Sequence, residues 1–255
     1  VARDKARKQP NVRATVQEVF DGMIVNSQNR WPSLAFDVGA VNNLMSPFFA
    51  AGFYYKTFMW PRAAWKSVYE PLIRRAAGLG VAPTEEDPDH YASRYAHCDV
   101  LVVGAGVAGL SAALAAAGTG AKVILCDEQA EVGGALRYDA GVTIDGQEGY
   151  AWAQKAVARL KAMDNVEVLV RTTAFGYYNH NFVGLAERVT DHIAKPSQDL
   201  PRERLWQVRA KRVILANGAI ERHMVFPNND RPGIILASAA RMYLNHYGVA
   251  VGTKV

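Results

Sequence analysis

From Val100 to Ala121 the chain runs 22 residues without a charge, and glycines interrupt it at 104, 106 and 109. A run that long and apolar has two outlets: a membrane-spanning helix, or a buried strand followed by a turn and a helix. Three glycines in six positions and the polar Ser111 point to the second. Val100–Val103 reads as a strand covered on both faces, Gly104-Ala-Gly106-Val-Ala-Gly109 as a tight turn, and Leu110–Ala117 as an alanine-rich helix. Gly104 permits the turn, Gly106 lets the backbone approach a phosphate, and Gly109 lets the helix sit close to the strand. The free N–H groups and dipole of that helix then face an anion. No signal peptide precedes the run, and no membrane span is expected.

A GxGxxG on its own is a weak signal. Here a second apolar run, Lys122-Val-Ile-Leu-Cys126, ends in Asp127-Glu128, and Asp127 lies 18 positions beyond Gly109. A carboxylate at that strand tip accepts hydrogen bonds from a ribose, which favours NAD or the ADP half of FAD over NADP. Glu128 and Gln129 are further candidates for the adenosine edge. Gly133-Gly134 and Ala135 follow and are placed over the pyrophosphate. Leu215-Ala-Asn-Gly218-Ala fits either a cofactor-side turn of two-domain flavoproteins or an ordinary strand-end turn.

These signals give an α/β fold: a Rossmann-like dinucleotide-binding domain of the flavoprotein disulfide-reductase type, with an inserted β-meander. A helix carrying Trp152, Ala156, Val157 and Leu160 on one face precedes a parallel strand at Val166–Arg171. Shorter strands at Ala174–Tyr178, Phe182–Val189 and Arg204–Val208 supply the meander, and Arg212–Arg222 returns to the buried sheet. The proline-bounded PTEEDP at 83–88 marks a boundary near residue 90, dividing the chain into 1–90 and 91–255. The first part is aromatic-rich: Phe48, Phe49, Phe53, Tyr54, Tyr55, Phe58, Trp60, Trp65 and Tyr69 fall within 22 residues. Pro61 starts a helix through Trp65, Val68, Leu72 and Ile73 that stops near Gly78. The aromatic segment serves either as a partner interface or as satellite core.

Half of the residues are hydrophobic, enough for a substantial core, and the net charge is +5. Much of that excess sits at Arg3, Lys5, Arg7, Lys8 and Arg13, opposed only by Asp4, with no nucleic-acid-reading module beside it. A solvated tail or an arm on a partner protein is expected there. Cys98 and Cys126 form no CxxC, so they read as reduced, buried thiols of a cytoplasmic protein. The six histidines show no metal-ligand spacing. With GxSxG, HExxH and the P-loop pattern all missing, no catalytic and no metal residue is assigned.

Several segments resemble the α subunits of heterotetrameric bacterial sarcosine oxidases. They are SQNRWPSLAFDVGAVN (27–42), GFYYKTFMWPRAAWKSVYEPLIRRAAGLG (52–80), HCDVLVVGAGVAGL (97–110), VILCDEQAEVGG (123–134), RTTAFGYYNHN (171–181) and FPNNDRPGIILASAARMYLNHYG (226–248). The resemblance implies oxidative demethylation of sarcosine to glycine, with O2 reduced to hydrogen peroxide. The one-carbon unit leaves as formaldehyde or on tetrahydrofolate. It also implies β, γ and δ partner subunits, NAD on the α subunit, and FAD and FMN in the assembled complex. The family's NAD contacts map onto Ala108, Asp127, Glu128, Gln129, Ala135 and Ala174. Gln129 stands where some relatives carry a longer basic residue, and Ala135 where others offer a hydroxyl. A ferredoxin-like start and a folate-binding half, both belonging to the family's α subunit, are not in this sequence, which reads as a piece of a longer protein.

Overall fold

The computed structural model describes residues 1–2, 7–12, 17–44, 58, 60–229 and 233–252. Two compact units emerge, one made of Val1–Asp89 with Asp191–Gln198, the other of His90–Thr190 with Asp199–Val255.

In the first unit, the helix anticipated from Pro61 is present but not uniform. Arg62–Ala64 forms a 3-10 turn, Trp65–Tyr69 a wider π turn, and Glu70–Ala76 the α-helix α1. It stops at Gly78, whose φ of +71° is left-handed and whose missing Cβ leaves room for Asn29. Of the nine aromatics, Phe48, Phe49, Phe53, Tyr54 and Tyr55 lie outside the described residues, as do Arg3, Asp4, Lys5 and Arg13. Phe58 and Tyr69 pack with ring centroids 5.3 Å apart, and Tyr69 Oη donates to the Trp60 carbonyl at 2.8 Å. Arg7 pairs with Asp89 at 2.7 Å.

The second unit is built on one six-stranded sheet of β1 (Tyr91–Val103), β2 (Val123–Cys126), β5 (Val166–Leu169), β6 (Thr172–Tyr178), β7 (Phe182–Arg188) and β8 (Glu203–Leu215). Their order across the sheet is β5-β2-β1-β8-β7-β6. A separate hairpin of two short strands, β3 (Thr143–Ile144) with β4 (Gln147–Glu148), follows the glycine pair in the chain. β5, β2, β1 and β8 are parallel, whereas β7 and β6 run antiparallel. Helices α2 (Val107–Gly118) and α3 (Gly149–Lys161) supply the crossovers. Glu148 starts α3 by accepting from the Tyr150 and Ala151 amides at 3.0 and 2.7 Å. Helix α4 (Ala237–Asn245) comes last.

Alternate residues of the inner strands feed two cores. Val102, Val123 and Leu125 meet Leu110, Ala113, Ala153, Ala156, Val157 and Leu160 of α2 and α3. Leu101, Ile124, Cys126 and Leu169 point the other way, onto Val183, Leu185, Trp206 and Val208. Burial on both faces is why the sequence shows unbroken apolar runs. The meander supplies the second cover because the sheet curls: β5 and β6 are its opposite edges, yet only Val170 and Arg171 separate them in sequence. The Thr172 amide closes the curl by donating to the Asp127 carbonyl at 2.7 Å.

Two expectations change. Arg204–Val208 and Arg212–Leu215 are not separate strands but one continuous β8, paired with β1 from Tyr91↔Glu203 to Val103↔Leu215. The charged stretch between them reads like a break. In fact Arg209 and Lys211 face outward, where Lys211 Nζ reaches Asp99 at 2.7 Å, while Ala210 turns into the core and the backbone ladder runs on. Nor is the far end of β8 buried: β7 pairs only with residues 203–209, and Leu215 is 60% exposed.

Candidate nucleotide-binding site

Strand β1 ends at Val103 and the turn that follows is fixed by sterics. Gly104 has φ +100°, and its amide donates to the Cys126 carbonyl at 2.8 Å. A Cβ on Gly104 would overlap the Ala216 carbonyl oxygen, and one on Gly109 would overlap the Gly104 carbonyl oxygen. Both glycines are therefore required by the protein's own packing. Gly106 is different. Its φ of −77° and ψ of −171° suit any residue, and the nearest atom to a Cβ there is Gly134 Cα, 4.0 Å away. No described residue of the protein needs glycine at 106, which stands beside the first turn of α2 and opposite Gly134.

Ala105 joins the parts of the site. It is 1% exposed, its amide donates to Asp127 Oδ2 at 2.6 Å, and its carbonyl accepts from the Gly133 amide at 2.8 Å. Asp127 Oδ1 also accepts from the Gln129 amide at 2.8 Å. The acid at the tip of β2 thus fastens the glycine loop and shapes its own turn, leaving the remaining carboxylate lone pairs for a ligand. Sequence reasoning assigned Asp127 only to the ribose; the Asp-x-Gln pattern, which favours a turn closed by the carboxylate, was the available signal.

The other candidates distribute around this centre. Gly133 and Gly134 have φ of +118° and +52°, and a Cβ on Gly134 would lie 3.1 Å from Gly106 Cα, so the two glycine elements face each other closely. Ala108 is exposed on the first turn of α2, and Ala135 is exposed on the 3-10 turn Gly134–Arg137. Glu128 and Gln129 are exposed on the turn after β2. Ala174, in β6, stands apart: it pairs with Leu185 of β7, and its partly buried side chain packs against the core on the meander side. Ala216, from the turn of undecided role, donates its amide to the Val103 carbonyl at 2.7 Å and lies against the loop.

Two arginines escaped the sequence reading. Arg188 Nη2 donates to the Glu128 carbonyl at 2.7 Å from 60 residues away, a separation that carries no local pattern. Arg137, on the turn after the glycine pair, has Nη2 3.5 Å from Glu131 Oε2, an oxygen that also accepts from Tyr150 Oη at 3.2 Å. Burial, and then the Glu131 charge, push the Tyr150 phenol up. Among the described residues no cluster of three or more His, Cys, Asp or Glu is placed to hold a metal. No described helix is long and apolar enough to cross a membrane.

Residues 99–207 match the family model of FAD-dependent oxidoreductases. The sarcosine oxidase α subunit of Rhizobium meliloti is 56% identical over 96% of this chain, and that of Corynebacterium sp. (strain P-1) is 51% identical over 70%. The chain is a homologue of sarcosine oxidase α subunits. It spans 25% and 18% of those two sarcosine oxidase proteins. An opine oxidase subunit of Agrobacterium tumefaciens is more distant, 30% identical over 59% of this chain and 29% of its own length. The oxidoreductase match runs from Asp99, late in β1, to Gln207 of β8, so it contains the glycine loop, Asp127 and the glycine pair.

Proposed function

We propose that this chain is the nucleotide-binding part of the α subunit of a sarcosine oxidase complex, and that the Gly104–Gly109 loop holds NAD. The observation that carries the reading is the pairing of a glycine with no structural need, Gly106, with a carboxylate locked onto the same loop, Asp127. The amides of the first turn of α2, at Val107 and Ala108, receive the pyrophosphate, with Gly134 and Ala135 on its other side. The ribose is taken by Asp127, while Glu128, Gln129 and the Ala174 backbone border the adenosine.

In the complex, FAD and FMN would supply the amine oxidation and oxygen chemistry. Sarcosine, O2 and water give glycine, formaldehyde and hydrogen peroxide, or the one-carbon unit passes to tetrahydrofolate as 5,10-methylenetetrahydrofolate. None of the loop residues is an acid–base pair placed to process substrate, so NAD here is a structural ligand and the catalytic role belongs to the β, γ and δ partners and the rest of the α subunit. The aromatic-rich segment of 1–90 is the part best suited to contact those partners.

A second reading places FAD on the loop, which the FAD-dependent oxidoreductase model supports. The opine oxidase similarity favours a related amine substrate on the same scaffold. One experiment separates the nucleotide readings: denature the purified full-length complex, and identify the released small molecules by mass spectrometry against a preparation carrying Asp127→Ala. Loss of NAD alone in the variant supports NAD at the loop. Loss of FAD with NAD retained moves FAD there, and unchanged content of both removes Asp127 from any nucleotide site.

A further inference from the structure

We infer that His246 is a positioning residue for the double-glycine turn, and that it holds helix α4 on that turn only while its imidazole is neutral. The inference extends the proposed nucleotide site, since the turn it acts on is the one that carries Gly133 and Gly134.

Helix α4 is anchored at both ends by side chains from elsewhere. At its start Leu236 offers no side-chain cap, and Glu221 supplies one instead: its Oε2 accepts from the Ser238 amide at 2.8 Å and from Ser238 Oγ at 2.5 Å. At its end the helix meets the turn after the glycine pair. Asn245 Nδ2 donates to the Tyr138 carbonyl at 2.8 Å, and Arg241 Nε pairs with Asp139 Oδ1 at 2.9 Å. Arg137 Nη2 lies 3.0 Å from His246 Nε2.

That last contact fixes a protonation state. A guanidinium has only donors, so Nε2 must present its lone pair; an imidazolium has none to offer and repels the arginine. The surrounding charges do not compensate. Glu131 is 3.5 Å from Arg137 and is shared with the Tyr150 hydroxyl, while Asp139 Oδ1 lies 2.9 Å from Arg241 Nε as an ion pair without a hydrogen bond. On its own element His246 faces the Tyr247 ring, edge-on at 4.7 Å, which brings no charge. Arg137 Nε is buried and makes no hydrogen bond, so the guanidinium is held through Nη2. Loss of the histidine contact leaves Arg137 with only the longer Glu131 pair at 3.5 Å, and the Arg137 Cγ lies 3.4 Å from the place a Gly133 Cβ would take. A proton on Nε2 removes that acceptor, so α4 is expected to leave its seat when the imidazole becomes a cation.

The test is hydrogen exchange on the full-length protein at about pH 7.5 and 5.5, with amide protection corrected for intrinsic rates and α2 as the internal standard. The wild type is expected to lose about tenfold of α4 protection at the lower pH while α2 keeps its own. His246→Gln, which keeps an acceptor at every pH, should stay protected at both. His246→Lys, a permanent cation, should be unprotected at both. Protection in the wild type that does not change, or a His246→Gln variant that loses it as the wild type does, overturns the inference. Nucleotide content is measured on the same samples. A pH-dependent α4 on a protein that holds no nucleotide defeats the loop assignment alone, and a nucleotide-bearing protein with a pH-independent α4 defeats this inference alone.

Discussion

Asp127 Oδ2 lies 2.6 Å from the Ala105 amide nitrogen, so the acid that ends β2 also holds the glycine turn that ends β1. The same carboxylate caps its own turn at the Gln129 amide. Asp127→Ala therefore removes two charge-assisted bonds as well as any ribose contact. It leaves the Ala105 amide, in a residue only 1% exposed, without an acceptor. A cost of about 2–3 kcal/mol in urea unfolding is expected, along with loss of the bound nucleotide. Asp127→Asn retains one oxygen for Ala105 and should cost less than half as much. Equal losses in the two variants would mean that the carboxylate's charge, rather than its acceptor geometry, organises the loop.

The three loop glycines should behave differently when each is replaced by alanine. At 109 the new methyl collides with the Gly104 carbonyl, so α2 must move off the loop and the domain should fold poorly or not at all. At 106 the backbone is extended and the closest atom is 4.0 Å away, so the methyl fits. Gly106→Ala should melt within about 2 °C of the parent apoprotein, because a tolerated substitution changes stability by about 0.5 kcal/mol or less. It should nevertheless retain little nucleotide after gel filtration. Normal nucleotide retention by that variant would show that the space beside Gly106 is not where the phosphates lie.

Much of this arrangement was legible because strands buried on two faces and a glycine-rich turn leave strong local marks. Val100–Val103 and Lys122–Cys126 are unmistakable as inner strands, and Asp127 stands at the end of the second. What could not be read is what depends on distant partners. The length of β8 is decided by its ladder with β1, not by its own pattern, which charged residues at 209, 211 and 212 interrupt. The extension of β1 back to Tyr91 has the same origin, since residues 91–97 pair with 203–209. Arg188 and His246 act on the site from 60 and 109 residues beyond the groups they touch. Neither is recoverable from spacing.

Trp206 is the largest side chain in the core beneath the sheet and is completely buried. Its Nε1 donates to Glu187 Oε2 at 2.6 Å, an oxygen that also takes Arg204 Nη1 at 2.8 Å, and the Arg94 guanidinium sits 4.5 Å over its ring. Trp206→Phe keeps most of the packing and leaves Glu187 with its arginine, so a loss of about 1–2 kcal/mol is expected. Trp206→Ala opens a cavity between the meander and the parallel strands and should cost about 3–5 kcal/mol. Chemical denaturation of both variants checks the order. If Phe and Ala cost the same, the stabilisation lies in the indole N–H and not in the filled volume.

Cys98 and Cys126 occupy adjacent strands on the meander side of the sheet. Burial pushes the Cys98 thiol from 9.0 up to about 11 and that of Cys126 up to about 12, the Asp127 charge adding to the second. Both groups stay protonated in the folded state where an unfolded chain would ionise them. Below about pH 9 the thiols are neutral in both states and their contribution is fully present. As the pH rises above that value the unfolded chain releases protons that the folded chain keeps, and stability falls until the folded thiols themselves titrate. The stability difference between the parent and Cys126→Ala should therefore narrow from about pH 8 to about pH 10.5. Thiol-specific reagents should label neither cysteine in the folded protein, and labelling should follow the unfolding curve. Rapid labelling without unfolding, or a difference that widens with pH, would mean that at least one of these sulfurs is reached by solvent.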